Sequence, residues 1–316
     1  MTTTVTLTGT GVPFPSAERA GPGVLVSHDD VRLQIDAGRS TLMRLTQAGV
    51  SPHQLSALLL THLHSDHVSD VADLVHTRWI QDHMHGTGPL PVVAADGHAP
   101  GFVRRALAAN VYDVEVRVRH VQHTPPEAAG HWFALPDTPA EVWRSPCGRV
   151  GVEAVRVRHE PVEQAVGYRI TTPDGVVVVS GDTRVCDEVA LLSAGADVLV
   201  HEACRASALA EFIRGTPFET IFSYHSDTVA LGELAKRAGV PHLVLTHLIP
   251  EPASPDQEAE FEAEVRQGGF QGRVSVGRDL MTIALGEGSD APPGEKPGEN
   301  SDENSGETSG ERGADR

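Results

Sequence analysis

The chain has 316 residues and a formal net charge of −18, from 43 acidic against 25 basic side chains; nonspecific attraction to nucleic acid or anionic membrane is disfavoured, and any polyanion must be met locally. Cys147, Cys186 and Cys204 show no C-x-x-C spacing and cannot close into a set of disulfides, so a reducing cytoplasm is expected. No stretch approaches 18 uninterrupted apolar residues, and Met1–Val5 lacks a basic start before an apolar run, which argues against a membrane span or a secretion signal.

Thr4–Thr8 reads as a first strand, and Gly9-Thr10-Gly11-Val12-Pro13 turns the chain after it. Prolines 13, 15 and 22 stand where a dinucleotide fold needs a helix, so this is not a Rossmann fingerprint. Val24–Ser27 and Val31–Ile35 form an expected hairpin, closed by Asp36, and Leu42, Leu45 and Val50 give a helical spacing that Ser51-Pro52 ends. Leu58–Leu60 reads as a short buried strand, and Val71, Leu74, Val75 and Trp79 as one apolar helix face. His76, His83 and His85 on that helix are read as surface or satisfied residues. Pro91–Ala94 is an expected strand and Phe102–Ala109 a helix; Val114, Val116 and Val118 alternate with charged residues, which predicts a half-buried strand. From His120 to Gly148 the chain is proline-rich and carries Trp132, Phe133 and Trp143, as expected of a long excursion forming a lid or pocket wall.

Val150–Arg158 alternates again, with His159 at its end. Tyr168–Thr171 and Val176–Val179 are strands joined by the turn Thr172-Pro173-Asp174-Gly175, and Gly181-Asp182-Thr183 follows the second. A helix at Glu188–Ser193, a strand at Val198–His201, helices at Ala206–Ile213 and Thr228–Ala238, a strand at Leu243–Leu245, a helix at Asp256–Arg266 and two short strands complete an α/β domain over residues 1–285. Residues 286–316 shift to Gly, Glu, Ser, Pro and Asp with almost no apolar side chains, which predicts a disordered acidic tail.

Chemistry concentrates in Thr61-His62-Leu63-His64-Ser65-Asp66-His67, directly after the Leu58–Leu60 strand. The two-residue offset of His62 and His64 lets both imidazoles address one ion, while Asp66 and His67 reach a second; imidazole with carboxylate suits zinc or another first-row metal such as manganese. His159, Asp182 and His247 end strands in the same way, so seven candidate ligands converge and a two-metal site is expected. No G-x-S-x-G elbow or H-E-x-x-H helix offers a different hydrolase.

Across residues 4–285 these motifs resemble the metallo-β-lactamase superfamily. Asp36, the His62–His67 cluster, His159 before Gly167-Tyr168-Arg169-Ile170, Ser180-Gly181-Asp182-Thr183 and Thr246-His247 are similar to the family's successive motifs. His201-Glu202-Ala203 and Tyr224-His225-Ser226 resemble elements of its tRNase Z-like branch. The resemblance implies a four-layer αβ/βα sandwich of two mixed sheets and a homodimer. It assigns His62, His64 and His159 to one zinc, Asp66, His67 and His247 to a second, and Asp182 to both. Asp66 would also orient a hydroxide shared by the ions, Glu202 would keep His225 protonated as the acid toward the leaving group, and Asp36 would stand behind the ligands.

For the substrate, 22 residues separate His159 from Asp182, too few for the arm with which many tRNase Z enzymes grip tRNA, and Leu248-Ile249-Pro250 stands where the branch often has a serine, an arginine and a tyrosine. The leading expectation is therefore a small-molecule phosphodiester or sulfate-type ester, as in arylsulfatase-like and phosphodiesterase members. The alternative is tRNA 3′-processing, with Arg104, Arg105, Arg117, Arg119, Arg156 and Arg158 as a local basic face.

Overall fold

The computed structural model describes residues 2–121 and 124–286. Its first half runs β1 (Thr4–Gly9), β2 (Gly23–His28), β3 (Val31–Ile35), α1 (Thr41–Gln47), β4 (Ala57–Leu59), α2 (Ser65–Val68), α3 (Val71–His85), β5 (Leu90–Ala95), α4 (Ala99–Ala108), α5 (Val111–Val121) and β6 (Ala128–Phe133). The second runs β7 (Ala140–Arg144), β8 (Gly151–Arg156), β9 (Val166–Thr172), β10 (Gly175–Val179), α6 (Asp187–Leu192), β11 (Val198–Cys204), α7 (Ala206–Ile213), α8 (Pro217–Phe222), α9 (Thr228–Ala238), β12 (His242–Ile249), α10 (Pro255–Gln267), β13 (Arg273–Val276) and β14 (Thr282–Ala284).

The strands form two seven-stranded mixed sheets, ordered β14-β1-β2-β3-β4-β5-β6 and β13-β12-β11-β10-β9-β8-β7. In each, a hairpin-linked antiparallel part continues into parallel strands, starting at β3–β4 in the first and β10–β11 in the second. Strand parity builds the layers, because successive side chains leave opposite faces. Leu33, Ile35 and Leu59 meet Val152, Tyr168, Ile170, Val177 and Val244 in the core between the sheets. Their neighbours face outward: Leu58 and Val92 pack on Leu45, Leu74 and Val75, while Val178, Leu199 and Leu245 pack on Val189, Leu231, Phe261 and Val265. The order is helix, sheet, sheet, helix. Tyr168, fully buried, donates its hydroxyl to Leu60 O at 2.7 Å, tying the second sheet to the chain just before the histidine cluster.

Two expectations need correction. Residues 114–118 are not a strand but part of α5. Asp113 pairs with Arg117 and Glu115 with Arg119, each acid four residues before its base, the arrangement that supports a helix. Only Val114 of the three valines is buried, whereas a half-buried strand would bury all three alike. The 120–148 stretch is not a free excursion either, since it supplies β6 and β7, one edge strand of each sheet, and Trp143 lies buried in the core between the sheets. Its prolines, at 125, 126, 136, 139 and 146, lie in the connections outside the two strands. Helix α8 had no counterpart in the sequence reading. Of the acidic tail expected over 286–316, everything from residue 287 lies outside the described residues.

Candidate active site

Functional side chains gather where strands end. Asp36 follows β3, the His62–His67 segment follows β4, His159 follows β8, Asp182 follows β10, and Glu202 and His247 lie near the ends of β11 and β12. Ends of parallel strands leave such a crevice because their connections diverge to opposite faces. Close backbone approaches shape it. A Cβ on Gly38 would lie 2.4 Å from the Asp66 carbonyl, and Gly181, at φ 64°, would place one 2.8 Å from Thr61 Cβ, so both loops close only on glycine.

The seven carboxylate and imidazole groups form one cage, buried except at His64, which is exposed. Donor atoms of His62, His64, His159 and Asp182 all lie within 4.8 Å of one another, as do those of Asp66, His67 and His247. His159 Nε2 is 3.2 Å from His64 Nδ1, and His67 Nε2 is 3.2 Å from Asp182 Oδ1. His247 Nε2 is 3.4 Å from both Asp66 Oδ2 and Asp182 Oδ2, which places Asp182 against both sets. Four ligands at about 2.0–2.1 Å from a tetrahedral ion stand about 3.3–3.4 Å apart, so these are the separations of ligands around metal. His62 Nε2, Asp66 Oδ2, His67 Nε2 and His247 Nε2 are buried and make no hydrogen bond among the described residues. Such atoms are costly unless something binds them. Both observations fit a divalent cation of the zinc type.

A second ring of contacts fixes the imidazoles. Asp36, itself at φ 56°, accepts from Thr61 N at 2.8 Å, from Thr61 Oγ1 at 2.7 Å and from His67 Nδ1 at 2.8 Å. His62 Nδ1 donates to Thr61 Oγ1 at 3.1 Å and His159 Nδ1 to the Tyr224 carbonyl at 3.4 Å. Each bond commits one ring nitrogen as donor and turns the other, as acceptor, into the cage. Electrostatics agree. Burial alone would strip His67 of its proton, but Asp182 and Asp36 outweigh burial and raise its pKa well above the usual value. His62, lacking such close carboxylate support, is pushed well below its usual value by burial and then by His67. A proton on His67 thus takes the charge that a cation would supply.

Beside the cage, His225 Nδ1 donates to both Glu202 oxygens, at 3.0 and 3.1 Å. Its ring stacks 5.4 Å from His247 and meets His159 edge-on at 5.4 Å, so it borders both donor sets. Burial lowers the His225 pKa, Glu202 more than reverses this, and the result is about 9. Glu202 also accepts the Thr183 N–H at 2.8 Å, and Ser226 Oγ donates to Thr183 O at 2.7 Å, so the pair is braced from two sides. Next to His159 opens a cleft of about 500 Å³ lined by Asp96, Leu135, Arg156, Arg158 and Glu160 among others. Among the described residues of the 120–148 stretch, Leu135 alone walls it.

Nine site residues singled out from the sequence, Glu202 and His225 with the seven cage residues, come together here, while none of His76, His83 and His85 joins the cage. Sequence reasoning missed Thr61 and Thr183, whose only signal was adjacency to His62 and Asp182. The six arginines named as a basic face do not form a free one, since Arg117, Arg119, Arg156 and Arg158 are paired with Asp113, Glu115, Asp137 and Glu188.

Residues 31–248 match the family described as Beta-lactamase superfamily domain. The Ribonuclease Z of Mycobacterium bovis (strain BCG / Pasteur 1173P2) is 36% identical over 283 residues, covering 89% of this chain and 98% of that protein. That of Mycolicibacterium gilvum (strain PYR-GCK) is 37% identical over 297 residues, covering 92% and 98%. Among solved structures, the metallo-beta-lactamase fold protein YhfI from Bacillus subtilis superposes with a TM-score of 0.66 at 24% identity, covering 90% of this chain and 100% of the other. Human tRNase Z, short form, superposes with a TM-score of 0.63 at 20% identity, covering 89% and 99%. With its two mixed sheets and His/Asp cage, the chain belongs to the metallo-β-lactamase superfamily, in its tRNase Z-like branch.

Proposed function

We propose that this chain is a divalent-metal-dependent endoribonuclease that processes the 3′ end of precursor tRNA. The observation that carries the reading is the Glu202–His225 pair set against the seven-residue cage, in a chain 36% identical to a Ribonuclease Z over almost that protein's whole length. In this reading His62, His64 and His159 would hold one ion and Asp66, His67 and His247 the other, with Asp182 available to either. Two such ions, when bound, supply Lewis acidity that makes water nucleophilic near neutral pH and offsets charge on a phosphoryl group. The remaining work falls to side chains. Burial opposes the charge of Asp66 but His247 and His67 outweigh it, so its carboxylate stays ionised and can orient the attacking water. His225 keeps its proton at neutral pH and delivers it from Nε2 to the departing oxygen, while Glu202 stabilises the imidazolium until transfer.

The comparisons support this alternative better than the small-ester expectation. An alignment of 283 residues that covers 98% of the M. bovis Ribonuclease Z leaves that relative no room for a long extra arm, so its absence here does not argue against RNA. The test is incubation of the zinc-reconstituted protein with a precursor tRNA carrying a 3′ trailer. Release of the trailer by one cut, abolished by a chelator, is expected; turnover of bis-p-nitrophenyl phosphate with the precursor left intact would overturn the reading.

A further inference from the structure

Five arginines lie within three residues of a cage or pair residue or of Asp36 behind it: Arg39, Arg156, Arg158, Arg184 and Arg205. Four are neutralised. Arg156 pairs with Asp137 at 3.1 Å, Arg158 Nε donates to Glu188 at 2.8 Å, Arg184 pairs with Glu160 at 2.5 Å, and Arg205 Nε donates to Glu264 at 3.1 Å. Arg39 is exposed and has no carboxylate partner among the described residues; its guanidinium makes one long bond, 3.4 Å, to the Pro13 carbonyl. Its position is not that of a random surface cation. Gly38 packs against the Asp66 carbonyl, and Gly21 N donates to Arg39 O at 2.9 Å, so the Arg39 backbone is clamped between the turn that carries Asp66 and the segment between β1 and β2.

That segment, residues 10–22, is the second part of the feature. It presents Phe14 between Pro13 and Pro15 with 68% of its surface exposed, next to the carbonyl that receives Arg39. A lone exposed phenylalanine means little, but this one sits on a rigid support. Buried Arg19 donates to Thr10 Oγ1 and Gly277 O, both at 2.7 Å, Ser16 Oγ to Glu251 at 2.6 Å, and Ala20 N to Asp279 at 2.7 Å. Val12 packs on Cys204 and Ile249, at the ends of the strands that carry Glu202 and His247. A cation without a counter-charge and an aromatic face, both carried on a backbone held against the site, match the two halves of one nucleotide.

We infer that Arg39 and Phe14 form a nucleotide subsite, in which Arg39 binds a backbone phosphate of single-stranded RNA next to the scissile bond and Phe14 stacks on a base. The inference rests on the endoribonuclease reading and names where the strand lies. Unpaired nucleotides are recognised by this combination, a backbone charge contact with stacking on an aromatic side chain.

The test uses the full zinc-reconstituted chain, with kinetics on a trailer-bearing precursor tRNA and on bis-p-nitrophenyl phosphate. Arg39→Ala is expected to raise KM for the precursor about tenfold with kcat within about twofold, and to reduce the slope of log KM against log salt by roughly 0.7, the loss of one phosphate contact on a single strand. Arg39→Lys should restore the slope. Phe14→Ala should raise KM without altering the slope, and Phe14→Trp should reverse that rise. The small diester, which offers no flanking nucleotide, should be turned over normally by all four variants. An unchanged KM and slope in Arg39→Ala, or equal losses on both substrates, would overturn the subsite while leaving the endoribonuclease reading intact. An intact precursor with wild-type protein would remove both together.

Discussion

Both oxygens of Glu202 are committed to Nδ1 of His225, which leaves Nε2 as the nitrogen able to donate elsewhere. His225→Ala should therefore retain its bound metal and yet lose about 10²- to 10⁴-fold in kcat where the leaving group is poor. With p-nitrophenyl esters the loss should shrink, because p-nitrophenolate departs without a proton. Metal content with paired kinetics checks this, and equal losses on both substrates would exclude a proton-donor role. A second histidine reports on pH at the opposite end of β12. His242 is buried, shares a 2.9 Å hydrogen bond with Ser275 Oγ, and is held near pKa 4 by burial and then by Arg273. In the unfolded chain it titrates near 6.5. The unfolded state therefore binds the extra proton between these values, and stability is complete above about pH 6.5 and is lost as pH falls toward 4. His242→Gln keeps a neutral partner for Ser275, so its denaturation profile should lack about 2 kcal/mol of the wild-type decline between pH 7 and pH 5. Parallel profiles would exclude His242 as a source of acid sensitivity.

Between elements, the glycines at strand ends set how closely the cage can close. A Cβ on Gly38 would meet the Asp66 carbonyl and Gly21 C, each at 2.4 Å, and both are backbone atoms that cannot rotate away. Gly38→Ala is expected to push the Asp66–His67 turn outward and weaken one equivalent of metal by about tenfold or more, as seen when a ligand's support is disturbed. Competition with a chromophoric chelator measures it, and two unaltered equivalents would show that the turn absorbs the methyl group. Strand ends were also what the sequence displayed most openly. His159, Asp182 and His247 each close an apolar run, and the hairpin before Asp36 announces itself by alternation and by Asp29-Asp30 at its turn. Helix α5 was hidden because valine alternation over 114–118 imitates a strand, and the competing signal lay in charges four residues apart. The edge strands β6 and β7 were hidden by prolines and by mixed exposure, since an edge buries too little for a clean period. Thr61 and Thr183 were illegible for a different reason: a hydroxyl or N–H that orients a ligand leaves no periodic trace.

At the scale of the whole molecule, the two sheets meet along an apolar seam, but each donor set takes members from both. His62 and His64 come from the first sheet and His159 and Asp182 from the second; Asp66 and His67 come from the first and His247 from the second. Each ion would thus work as a rivet through the seam, and its binding energy adds to the cohesion of the halves by mass action, about 2.7 kcal/mol for one site at a hundredfold excess over Kd. Chelation should then lower Tm, and in hydrogen exchange the ends of β4 and β10 should lose protection in step; separate responses would mean the halves part independently of metal. Supply of the metal would set the protein's lifetime as well as its rate. In a metal-starved cell such a chain would be cleared by proteolysis as it loosened, and its abundance would follow the free ion.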